Sequence, residues 1–174
     1  MDKETFIKDV RKQAREYKKW EDSIEGILYN LSTWGDATWD DDINKVIIAK
    51  TLQRLPKRIR EKVLNKVVFM IMTVCGTLVK FRFSKIVRKE EFREIGGICT
   101  VAVEQVVIFL NFSKKHSEKY HMDTVAHEVA HFILGDYTGN LPVPKRPKGY
   151  NPERAADDLT EKWGFRRAYK SYNF

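Results

Sequence analysis

Across residues 6–31 the apolar side chains Phe6, Ile7, Val10, Ala14, Tyr17, Ile24, Ile27, Leu28 and Leu31 recur mostly at spacings of three and four, with Lys and Arg between them. That pattern predicts one amphipathic helix or two, broken near Gly26. Residues 32–42 hold Trp34, Gly35, Trp39 and three successive aspartates, and read as a loop whose last acids favour a helix start at about Ile43. Pro56 ends that helix and, as a first-turn residue, can open the next through Ile59, Val63 and Val67.

After Cys75 the pattern changes. Residues 77–87, 98–103 and 106–112 are rich in Val, Ile, Phe and Thr, with polar or Gly-containing breaks at 88–97 and at Glu104-Gln105. These predict strands in a small, mostly antiparallel sheet, the last two forming a hairpin. A helix follows over residues 118–134, stopped by Gly135. Residues 141–150 carry Pro142, Pro144, Pro147 and Gly149 and must be loop. Asn151-Pro152 then opens a last helix to about Trp163. Helices, then sheet, then two helices define an α+β class, with residues 1–74 a helical region and 75–174 the core, together fitting one compact unit.

The penultimate helix contains His127-Glu128-Val129-Ala130-His131, an H-E-x-x-H string. Residues four apart lie one turn apart on one face, so two imidazoles can converge on one Zn2+ ion. Glu128, about 100° round the axis, can reach a water on that metal without being a ligand. With 4 His and 13 Glu in 174 residues, chance supplies roughly 0.007 such strings, so the motif carries weight. Val125, Val129, Phe132 and Ile133 form a stripe facing away from His127 and His131, which turns the histidines toward a second surface.

Zinc needs a third protein ligand. Glu153 and Asp157, again one turn apart, stand on the last helix beside an apolar stripe of Ala156, Leu159 and Trp163 that can pack it under the first. Glu153 is the candidate ligand, and Asp157 the candidate acceptor for a ligand histidine's other ring N–H. The alternative makes both ordinary acids of a first turn.

His127-Glu128-x-x-His131 followed 22 residues later by Glu153-x-x-Ala156-Asp157 resembles the gluzincin zinc metallopeptidases. The last helix with Trp163-Gly164-Phe165 is similar to the small soluble relatives of the CAAX-prenyl-protease and membrane heat-shock protease branch, and residues 127–136 to the ImmA/IrrE branch. The resemblance spans about residues 106–165 and implies a zincin-like fold, with zinc on His127, His131 and Glu153, and Glu128 as general base in peptide hydrolysis. It also implies that residues 106–112 are an edge strand on which a substrate peptide is laid by β-addition. Tyr137 stands where the metzincin pattern needs a third histidine, which excludes that class. Tyr120, His121, Tyr137, Tyr150 and Tyr169 are candidate oxyanion donors, although His121 is off the ligand face, and His116 and His121 read as surface residues.

Composition narrows the class. Thirty-two Lys and Arg against 24 Asp and Glu leave a formal charge of +8, with 43% hydrophobic residues, which excludes disordered, collagen-like and disulfide-scaffold chains. Cys75 and Cys99 lack metal or framework spacing and read as small core residues of a reducing compartment. The longest apolar stretch, 67–79, is interrupted and shorter than the roughly 20 residues of a membrane span. With no secretory pattern, the expectation is a cytoplasmic protein without membrane insertion. The pI near 9.4 and the basic clusters at 54–66 and at Lys145, Arg146 and Lys148 admit nucleic acid, but no recognised binding signature accompanies them. The second function class is a regulatory or binding protein with a structural zinc site, associated with a transcriptional regulator or nucleic acid, as the ImmA/IrrE likeness implies.

Overall fold

The structure is a computed structural model, and it describes residues 3–31, 33–34, 41–72, 97–102, 105–112, 116–136 and 144–166. The first two helices are α1, Lys3–Glu21, and α2, Ile24–Asn30. They part at Asp22-Ser23, not near Gly26 as expected. The Ser23 hydroxyl makes the corner, accepting from the Gly26 N–H at 3.1 Å and donating to the Trp20 carbonyl at 2.7 Å. Gly26 sits inside α2 because a Cβ there would stand 2.1 Å from the Trp20 oxygen. Asp22 anchors the corner to a later helix, meeting Lys57 at 2.9 Å and the buried Arg60.

β1, Thr33–Trp34, lies in a segment expected to be loop, and α3 spans Asp41–Arg54. α4, Lys57–Lys66, ends before Val67, where a helix was expected to continue and β2, Val67–Met72, begins instead. β3 is Gly97–Ala102, β4 Gln105–Asn111, α5 Glu118–Leu134 and α6 Pro152–Lys162. The expected strand at 77–87 lies outside the described residues, as do Cys75 and the side chain of Cys99.

The four described strands lie in the order β1-β2-β4-β3. The expected hairpin is present, β3 and β4 pairing antiparallel from Gly97↔Leu110 to Ala102↔Gln105. The expectation of a mostly antiparallel sheet is corrected: β1 pairs β2, and β2 pairs β4, in parallel. The physical reason is visible in β2 and β4. Consecutive residues Val67, Val68 and Phe69 are buried, as are Val106, Val107 and Ile108, so both faces of these strands are covered, as parallel strands require. β2 thus joins the N-terminal half of the chain to the sheet of the C-terminal half.

β4 is therefore central, which overturns the expectation that 106–112 form an edge; among the described strands β3 takes the outer position beside it. α5 packs across β3 and β4, with α3 and α6 against its flanks. Ile48, Leu52, Phe69, Ile108, Val125 and Val129 are inaccessible to solvent or nearly so and form the centre of the core. No helix among the described residues is long and apolar enough to cross a membrane.

Candidate metal centre

α5 starts and stops where local chemistry says it should. The Ser117 hydroxyl caps it by accepting from the Tyr120 N–H, and Gly135 ends it in the left-handed region at φ 75°. The turn closes with the Asp136 N–H on the His131 carbonyl at 2.8 Å. The same backbone bond fixes the turn that carries the second histidine. α6 is capped by Asn151, whose side chain accepts from the Arg154 N–H at 3.0 Å, with Pro152 in its first turn. Ala156 is fully buried and lets α6 approach α5 closely.

This approach brings the two helices' polar faces together. Nε2 of His131 is 3.0 Å from Nε2 of His127. Oε2 of Glu153 is 3.2 Å from Nε2 of His127, and its Oε1 is 3.4 Å from Nε2 of His131. The three residues form a group able to hold a metal ion. On the other side of the His127 ring, Oδ1 of Asp157 lies 2.9 Å from Nδ1. His127 and His131 are 1% and 7% exposed, so this is an interior cluster on the histidine side, with Glu153 half-exposed at its rim.

The electrostatics follow from the contacts. Glu153 is held well below the ordinary carboxylate range, first by hydrogen bonding with His127 and then with His131, against a desolvation that raises it. Two ring nitrogens 3.0 Å apart cannot both carry a proton aimed at the other, so at least one offers a lone pair. The Asp157 carboxylate beside Nδ1 of His127 favours the proton there, leaving Nε2 as the donor atom facing His131 and Glu153. The atoms also have the right separations: tetrahedral zinc with arms of about 2.0–2.1 Å spaces two ligand atoms by ~3.3 Å, against 3.0–3.4 Å here. The donor set fits a metal.

Glu128 is 6% exposed, one residue along α5 from His127. All five residues singled out from the sequence, His127, Glu128, His131, Glu153 and Asp157, therefore lie on the two packed helices, and four of them are in direct mutual contact. His121 is corrected: it is 5% exposed, not on the surface, with its ring 4.8 Å from that of Phe112. His116 is exposed and stacks on Tyr120. Tyr137 and Tyr169 lie outside the described residues.

One constellation escaped the sequence reading. Asp136, just past α5, receives Arg146 at 2.5 Å and the Tyr150 hydroxyl, while Arg146 also donates to the Leu134 carbonyl and covers the Tyr150 ring at 4.6 Å. This clasp fastens the proline-containing segment to the end of α5, three residues before Glu153. Tyr150 is thereby committed to Asp136, and its pKa is pushed up to about 12, first by desolvation and then by that hydrogen bond. Acid, base and phenol ten to fourteen residues apart leave no periodic trace; only Gly135-Asp136 after an ended helix hinted at a built turn.

No family model, curated protein or solved structure matches this chain.

Proposed function

We propose that this chain is a zinc metallopeptidase of the gluzincin kind, with His127, His131 and Glu153 as ligands. The observation that supports it best is the convergence of Nε2 of both histidines and the Glu153 carboxylate within 3.0–3.4 Å of one another. When bound there, zinc would lower the pKa of a water toward about 7 and polarise a peptide carbonyl.

The remaining steps belong to the chain's own residues. Glu128 accepts the proton of the attacking water and delivers it to the leaving amine, the work of a carboxylate placed beside the ligands without joining them. Asp157 keeps the proton of His127 on Nδ1 and orients the ring. The α5–α6 contact holds Glu153 opposite the histidines. A substrate strand would add to β3, the outer of the described strands beside β4, in place of the edge role expected of β4.

Five of the nine cations of the basic clusters have partners within the chain, which disfavours the nucleic-acid reading. Arg54 lies over Phe165, Lys57 and Arg60 meet Asp22, Lys62 lies over Phe132 and Arg146 closes the clasp. The test is elemental analysis of the purified protein, followed by hydrolysis of a mixed peptide library by wild type and Glu128→Gln. About one zinc per chain in both proteins, with cleavage by wild type alone, is expected. A protein that stays empty when zinc is supplied, or a Glu128→Gln variant that still cleaves, overturns the reading.

A further inference from the structure

Every residue of α1 from 7 to 20 is exposed. Ile7, Val10, Tyr17 and Trp20 show 38%, 46%, 59% and 37% of their surfaces, although the core of this protein holds ample apolar burial elsewhere. At about 100° per residue, Ile7, Val10, Ala14, Tyr17 and Trp20 fall within one sector ~140° wide, interrupted within residues 7–20 by Gln13 alone and closed at the end of the helix by Glu21. Within residues 7–20, Lys8, Arg11, Lys12, Arg15, Lys18 and Lys19 fill a separate sector ~120° wide that holds no acid; Glu4, in the first turn, shares that angle. Asp9 and Glu16 lie between the two, on the Trp20 side. The apolar stripe continues onto α2: the Trp20 ring is 5.7 Å from Tyr17 and 5.5 Å from Tyr29, itself 79% exposed.

We propose that α1 is a membrane-surface helix that lies in the interface of an anionic bilayer, its apolar sector inserted among acyl chains and its basic sector among headgroups. The segregation of charge selects this occupant. A partner protein's acidic groove would pair best with cations flanking the stripe on both sides, but here cations flank only the Ile7 side while acids flank the other. A lipid surface acts through its summed field instead, and across a helix about 10 Å thick, close to the Debye length, the far cations still feel it. Nucleic acid would want aromatic rings and cations on one face, for stacking beside phosphate contacts, whereas α1 sets them apart. Tyr and Trp rings, apolar with a polar tip, suit the headgroup level. This inference stands apart from the metal reading, since α1 contributes no residue to that site.

The test is co-sedimentation of the full chain with vesicles of phosphatidylcholine and phosphatidylserine in roughly 3:1 ratio, and with phosphatidylcholine alone. Binding to the anionic vesicles is expected to be at least about tenfold tighter than to neutral ones and to weaken at high salt. Val10→Glu with Tyr17→Glu should abolish it, and Arg11→Gln with Arg15→Gln and Lys18→Gln should reduce the preference for anionic vesicles. The far-UV circular dichroism of both variants should match wild type, since the altered residues are exposed. Equal affinity for both vesicle types, or none, overturns the proposal. So does self-association seen by sedimentation velocity and lost in the Glu variant without lipid binding, which assigns the stripe to a second copy. Oligonucleotide binding indifferent to the Glu substitutions, without vesicle binding, assigns the cations to nucleic acid and overturns it too.

Discussion

α1 and α5 are the longest helices among the described residues, 19 and 17 residues, and they stand in opposite relations to solvent. Residues 7–20 of α1 are all exposed, whereas residues 121–132 of α5 are all buried. Yet α1 has the cleaner separation of apolar and charged faces. α5 mixes His121, Asp123, Thr124, His127, Glu128 and His131 into its buried length. Buried polar groups are costly unless partnered, and partners are there for several of them: Lys119 reaches Asp123 at 2.6 Å, Thr124 donates to the Tyr120 carbonyl, and α6 supplies Glu153 to both Nε2 atoms and Asp157 to His127, while Nδ1 of His131 has no hydrogen-bond partner among the described residues. Amphipathic patterning thus reports that a helix has two faces and leaves open what each face meets. On α5 the polar face meets a second protein layer, and on α1 the apolar face, beyond the contact of Trp20 with Tyr29, meets none among the described residues.

The largest break in this comparison comes from removing the histidines. His127→Ala or His131→Ala deletes one of the three proposed ligands and should lower bound metal from about one per chain to near zero by elemental analysis. Asp157→Ala leaves the ligands in place and should weaken metal binding by about 10–100-fold in a chelator competition. Glu128→Gln should leave affinity intact while lowering peptide hydrolysis by about 10²–10⁴-fold, the range of a lost general base. No change on α1 should move any of these readouts.

A matched pair of substitutions sharpens the contrast in stability. Val125 is fully buried on α5 and Val10 is 46% exposed on α1. Val125→Ala should cost on the order of 2 kcal/mol in urea unfolding, from lost transfer energy and the cavity left behind. Val10→Ala should stay within about 0.5 kcal/mol. An equal cost at both would mean that α1 packs against the rest of the chain in solution.

Local signals made part of this molecule readable from the sequence. The limits of α5 and α6 follow from Gly135, Asn151 and Pro152, and the β3–β4 hairpin from two apolar runs around Glu104-Gln105. H-E-x-x-H was readable because both histidines sit one turn apart, and Glu153 and Asp157 because they repeat that spacing beside an apolar stripe. The features that escaped are those set by distant partners. Val67 looked like part of a helix because it stands four residues after Val63 and eight after Ile59; its place at the start of the strand Val67–Met72 depends on pairing with Gln105–Asn111. Strand direction failed for the same reason, and with it the edge position assigned to 106–112. The break between α1 and α2 was displaced from Gly26 because that glycine serves close approach to the Trp20 carbonyl, not helix termination.

The end of α5 offers two smaller effects that again separate it from solvated α1. Gly135 has φ 75°, and a Cβ there would stand 3.1 Å from the Pro144 ring. Gly135→Ala should therefore cost about 1–2 kcal/mol through left-handed strain and crowding of the proline segment. Tyr150 gives the subtlest readout. Its pKa is raised from 10.0 to about 12, so the neutral phenol's contribution is complete below pH 10 and is lost as pH climbs toward 12. A tyrosinate absorbance step near pH 12 is expected in wild type and should be missing in Tyr150→Phe. That variant should lose about 1 kcal/mol at neutral pH, the net worth of one hydrogen bond. If the late step persists in Tyr150→Phe, another phenol carries it, and Asp136 does not hold the segment before Glu153 through Tyr150.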